Sequence, residues 1–82
     1  MKFVVDGRTY DTDTATLIGE HVSGEPMEPG YTRETLYRKR GGEYFVVVRD
    51  AYLIRVVPLK HSEAEMWAIL NARSVSPLPF TF

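Results

Sequence analysis

Strand signals, in part an alternation of apolar and polar positions, dominate the first fifty-seven residues and give way to helical spacing after them. Lys2-Phe3-Val4-Val5 and Arg8-Thr9-Tyr10 flank Asp6-Gly7. A type I′ reversal needs positive φ at both central residues, which aspartate and glycine tolerate best, so this stretch predicts an N-terminal β-hairpin. Over residues 11–19, Asp-Thr-Asp-Thr-Ala-Thr-Leu-Ile-Gly supplies a capping side chain, acid in the first turn and a closing glycine. A short helix of about two turns is expected there, although its threonines lose rotamer freedom in a helix. Residues 22–30 hold two prolines and two glycines and read as a loop.

A second reversal is expected at Gly41-Gly42, between residues 32–39 and 44–48, with a third strand over 52–57 following an Asp50-Ala51 turn and closed by Pro58. A two-residue Gly-Gly turn sets Arg40 opposite Glu43, Tyr37 opposite Val46 and Leu36 opposite Val47; the next turn sets Val47 opposite Ile54 and Phe45 opposite Val56. Strand side chains alternate faces, so Leu36, Phe45, Val47, Tyr52, Ile54 and Val56 form the predicted core face. The opposite face collects Arg33, Thr35, Tyr37, Lys39, Tyr44, Val46, Val48, Leu53 and Arg55.

Ser62-Glu63-Ala64-Glu65 has the form of a capping box, in which the Ser62 hydroxyl accepts from the Glu65 amide and the Glu65 carboxylate from the Ser62 amide. Met66, Trp67, Ile69 and Leu70 follow as an apolar stripe. Its burial on Phe45, Val47, Ile54 and Val56 would stabilise the fold by roughly 1.5–3 kcal/mol per large side chain. Beyond it, Pro77 and Pro79 force an extended tail over residues 76–82. The expected architecture is one α+β domain over residues 1–82: an N-terminal β-hairpin, a short helix, and a three-stranded antiparallel meander with a C-terminal helix packed on one face.

Composition bounds the chemistry. The 82 residues are 44% apolar and 26% charged, which suits one small folded core and not a disordered chain. No cysteine is present, so no disulfide framework or thiolate metal site is available. No apolar run approaches the roughly 20 residues of a membrane span, and the first residues lack the apolar stretch of a signal peptide, so a cytoplasmic location is expected. The net charge of −1 hides a division. Residues 1–30 set Lys2 and Arg8 against Asp6, Asp11, Asp13, Glu20, Glu25 and Glu28, whereas residues 31–60 are predominantly basic. That order allows a dipolar surface or mutual neutralisation within the fold.

Catalytic and metal chemistry find no anchor in the sequence. His21 and His61 lie forty residues apart without ligand spacing. Asp11 with Asp13 and Glu63 with Glu65 are explained as solvated charges near turns and helix starts. Gly41-Gly42 is explained by its turn, and no nucleotide-binding glycine pattern occurs. No enzyme activity, cofactor or metal is expected. Arg33, Tyr37, Lys39, Tyr44 and Arg55, expected on one β face, form a candidate partner-binding surface, because tyrosine and arginine often anchor interfaces. The same cations and rings suit single-stranded nucleic acid as the alternative, against which stand the net charge and the neighbouring Glu34 and Glu43. Leu78, Phe80 and Phe82 alternate around Pro79 and would fold back on the sheet or join two copies as an exchanged arm, giving a monomer or a homodimer.

Asp6-Gly7-Arg8-Thr9-Tyr10-Asp11-Thr12-Asp13-Thr14-Ala15, Glu34-Thr35-Leu36-Tyr37-Arg38, Gly42-Glu43-Tyr44-Phe45, Pro58-Leu59, Ser62-Glu63, Ala64 and Trp67 resemble a group of small proteins carried by phages, plasmids and integrative elements of bacteria. The similarity spans roughly residues 2–70 and brings no site residue with it. What it implies is a setting. Mobile-element proteins of this size often act by occupying a host protein, and anti-CRISPR inhibitors are one such class. That setting implies a non-enzymatic module that binds a bacterial protein or ribonucleoprotein, such as a CRISPR effector; the residues themselves offer the Arg33, Tyr37, Lys39, Tyr44 and Arg55 face or the acidic segment around Glu20 to Glu28 as the surface expected to do so.

Overall fold

The computed structural model describes residues 1–71. The extended tail over 76–82, with Leu78, Phe80 and Phe82, lies outside the described residues. The described chain is a small α+β structure in the order β1 (Lys2–Val5), β2 (Arg8–Asp11), β3 (Thr16–Ser23), β4 (Thr32–Arg38), β5 (Tyr44–Asp50), β6 (Ile54–Leu59) and α1 (His61–Leu70). β1 and β2 form a two-stranded sheet, and the remaining strands form an antiparallel sheet ordered β3-β4-β5-β6. No helix among the described residues is long and apolar enough to cross a membrane.

The first hairpin follows its turn chemistry. Asp6 and Gly7 both take positive φ, 50° and 77°, and Phe3 pairs with Tyr10. The short helix expected over residues 11–19 is absent, and the meander gains a fourth strand in its place. Thr16, Ile18 and Val22 are β-branched, and β4 offers a full ladder from Ser23↔Thr32 to Thr16↔Arg38. Between Leu17 and Gly19 the register shifts, leaving Ile18 as the extra residue of a β-bulge. The bulge lets Ile18 enter the core while Leu17 remains half-exposed.

The β4–β5 reversal differs from expectation by one residue. The Lys39 amide donates to the Glu43 carbonyl at 2.7 Å and the Gly42 amide to the Lys39 carbonyl at 2.9 Å. Gly42 has φ 94°. The loop is thus the three residues Arg40-Gly41-Gly42, with the last glycine left-handed. Tyr37 therefore pairs with Phe45 and Leu36 with Val46. A one-residue slip moves every side chain to the other face, so Leu36 leaves the company of Phe45 and Val47. At the next turn the Asp50 carboxylate accepts from the Tyr52 and Leu53 amides at 2.8 and 2.7 Å. The strand beyond it is displaced by two residues, which preserves its face: Val47 pairs with Val56 and Phe45 with Pro58. Pro58 lies within an edge strand, where a missing amide is tolerated, and does not terminate it.

The sheet is buried on both sides. On one, Ile18, Leu36, Tyr44 and Val46 pack beneath Ala64, Trp67 and Ala68 of α1. On the other, Phe45 and Val47 pack against Tyr10, with Phe3, Val5, Ala15, Tyr37 and Val56 around them. The helix thus lies on the face opposite to the expected one, and the first hairpin covers Phe45, Val47 and Val56. The buried line of α1 is Ala64-Trp67-Ala68, at spacings of three and four, while Met66, Ile69 and Leu70 stay exposed. Lys60, not Ser62, is the N-cap, and Glu63 Oε1 accepts from the Lys60 amide at 2.8 Å.

Candidate functional site

The five predicted partner-binding residues do not share a face. Arg33 and Tyr37 project to the hairpin side with Arg49 and Phe45, their cross-strand partners; Tyr44 and Arg55 project to the helix side. Three of them are engaged in packing. Tyr37 stacks on Phe45 with ring centroids 5.2 Å apart, Lys39 Nζ sits 4.5 Å from the centre of the Tyr10 ring, and Tyr44 is buried beneath α1, 5.6 Å from the His61 ring. No continuous basic and aromatic platform results. In the acidic segment, Glu20 is tied to Arg33 within the sheet, whereas Glu25 and Glu28 lie exposed in the loop after β3.

Two surfaces emerge instead. On the hairpin side of the sheet, a cavity of about 230 Å³ is bounded by Glu20, Arg33, Thr35, Tyr37, Arg49 and Met1. The β3–β4–β5 register builds it: Arg33 lies directly opposite Arg49, and Glu20 opposite Thr35. Arg33 Nη2 donates to Glu20 Oε2 at 2.8 Å, and this contact holds the guanidinium above its ordinary pKa. Among the described residues, Arg49 Nη2 reaches only the thioether of Met1, at 3.9 Å. Burial raises the Tyr37 phenol above its usual range, and Glu20 adds to the effect, so the hydroxyl stays protonated as a donor at neutral pH.

On the helix side, an open groove of about 380 Å³ runs between α1 and β6. Val48, Val57, Leu59, Met66, Trp67 and Leu70 supply its apolar lining, and Glu34, Arg55 and Glu63 are its charged groups. Trp67 Nε1 donates to Glu34 Oε1 at 3.4 Å, which fixes the indole against the wall. At the β5–β6 turn, Tyr52 and Leu53 are 79% and 65% exposed.

Neither surface was visible in the linear pattern, because each depends on which residues face one another across strands. Arg49 was missed for that reason. Met66 and Leu70 were recognised as apolar, but they line a groove instead of a core. Comparison with known proteins found no matching family model, no matching curated protein and no matching solved structure.

Proposed function

We propose that this chain is a non-enzymatic protein-binding module that acts in the bacterial cytoplasm by occupying a partner's surface. The observation that carries the reading is the groove between α1 and β6. Met66 and Leu70 are 55% and 74% exposed along it, which is apolar surface on a domain too small to hide it elsewhere. An apolar floor with charged groups around it is the anatomy of a protein interface. Glu34 and Glu63 outnumber Arg55, so the complementary partner presents apolar anchors flanked by lysine or arginine.

The narrower reading, supported by the resemblance to phage and mobile-element proteins, is an anti-CRISPR-like inhibitor whose partner is a bacterial immune effector. Single-stranded nucleic acid, the alternative, has less support, because Tyr37 and Tyr44 lie on opposite sides of the sheet and both are packed against protein.

Plaque assays in CRISPR-proficient hosts test the proposal, comparing the wild-type chain with a Met66→Lys, Leu70→Lys variant. Protection by the wild type that is lost in a variant with unchanged circular dichroism and melting temperature supports it. Absence of protection sinks the inhibitor reading, and equal protection by the variant removes the groove from it. Light scattering over a range of concentrations shows whether a second copy of the chain takes the groove instead.

A further inference from the structure

Arg33 and Arg49 are directly paired across β4 and β5, and like charges at opposed positions destabilise a sheet. One carboxylate answers them. Glu20 is bonded to Arg33, while among the described residues Arg49 has only the Met1 sulfur. The Met1 ammonium, whose residue also lines the cavity, is already paired with Asp13 at 3.4 Å. Once both pairs are formed, one guanidinium charge is left over beside a cavity whose wall also carries the Tyr37 hydroxyl and Thr35. A locally unfavourable arrangement in an otherwise consistent fold is where binding sites are found.

We propose that the cleft between Arg33 and Arg49 binds a single carboxylate group, with Arg49 as its principal donor and Tyr37 as the supporting one. The guanidinium fork matches a carboxylate with two parallel hydrogen bonds. Charge selects the ligand further: a monoanion neutralises the one spare cation, whereas a phosphate dianion would exceed it and face Glu20 across the cavity. The carboxylate belongs either to a small free acid or to an aspartate or glutamate of a polypeptide. The inference does not depend on the protein-binding reading, since this cleft and the α1–β6 groove lie on opposite faces of the sheet.

The test is a titration of 15N-labelled protein at constant ionic strength, following the arginine side-chain Nε–H resonances. One arm uses sodium acetate, the other a capped peptide with a single glutamate, and sodium chloride is the reference. The Arg49 resonance is expected to move along a saturable curve in at least one arm and not with chloride. Saturation with acetate identifies a free acid as sufficient; saturation with the peptide alone identifies a polypeptide-borne group. Arg49→Gln is expected to weaken the affinity roughly tenfold or more, and Arg49→Lys, which keeps the charge and loses the fork, by an intermediate factor. Without ligand, Arg49→Gln is expected to melt at or above the wild-type temperature, because it removes the opposed charge. No saturation in either arm, an unchanged curve in Arg49→Gln, or a lower melting temperature for that variant each overturns the proposal.

Discussion

Tyr37 and Phe45 face each other directly across β4 and β5, their rings stacked 5.2 Å apart with 14° between the planes. Tyr10 of the first hairpin closes edge-on over Phe45 at 5.3 Å. This contact docks the two-stranded sheet on the four-stranded one, and Phe45 is fully buried within it. Phe45→Ala is therefore expected to lower unfolding free energy in urea by about 3–5 kcal/mol. A double-mutant cycle between Tyr10 and Phe45 should show coupling of about 0.5–1.5 kcal/mol, characteristic of an edge-to-face pair. Additive losses would mean that the hairpin is not seated on Phe45.

The loop after β4 makes a sharper distinction. Gly42 is left-handed at φ 94°, whereas Gly41 is not, and a methyl group at Gly41 would meet nothing within 4 Å. Gly42→Ala is expected to cost about 1 kcal/mol or more through backbone strain, and Gly41→Ala to stay within about 0.5 kcal/mol of wild type. Equal effects would argue for a two-residue reversal, in which both glycines are strained. Chemical denaturation of the two variants decides between them.

The orientation of α1 is testable in the same way. Ala68 is fully buried against the sheet and Leu70 is 74% exposed. Ala68→Leu should destabilise by about 1–3 kcal/mol through overpacking, while Leu70→Ala should fall within about 0.5 kcal/mol of wild type. The reverse ranking of melting temperatures would place the Met66-Leu70 side of the helix on the core.

Asp50 gives the turn before β6 a defined pH dependence. Hydrogen bonds from the Tyr52 and Leu53 amides hold its carboxyl below the ordinary value of 3.8. A carboxyl depressed in the folded state stabilises that state above its unfolded pKa, and the contribution disappears as pH falls through the folded value. Wild type should therefore lose melting temperature more steeply than Asp50→Ala below about pH 4, and the two slopes should coincide between about pH 5 and 7. Parallel curves across the acid range would show that the carboxylate does not order this turn.

Much of the fold was legible where local chemistry allowed one answer. Asp6-Gly7 admits a single tight reversal, and the apolar run 44–48 flanked by a glycine pair is a strand in any register. Arg40-Gly41-Gly42 was different, because Gly41-Gly42 can form a two-residue turn or Gly42 alone can end a three-residue one. Local sequence does not separate these loops; the packing of Tyr44 and Val46 under α1 and of Phe45 and Val47 under Tyr10 does. With both neighbouring faces apolar, β5 lacks the polar alternation that would have marked an outside. Residues 11–19 read as a short helix because Asp11, Asp13 and Gly19 resemble caps, whereas from Thr16 onward pairing with β4 outweighs a helical propensity that threonine already weakens. The Arg33–Arg49 cleft follows from the register alone, so the same one-residue ambiguity concealed it.

β6 is an outer strand of its sheet and borders the apolar groove beside α1, with Tyr52, Leu53 and Ile54 exposed at one end and Val57 along it. A rim of that kind invites further strands to add on, the first step towards fibrous assembly. Pro58 counters this, since edge prolines turn their nitrogen side outward and have no proton to give an incoming backbone. Arg55 adds a charge that like copies stacked in line would have to bring together. Replacing either residue would therefore remove a guard against aggregation while leaving the core of the folded domain untouched.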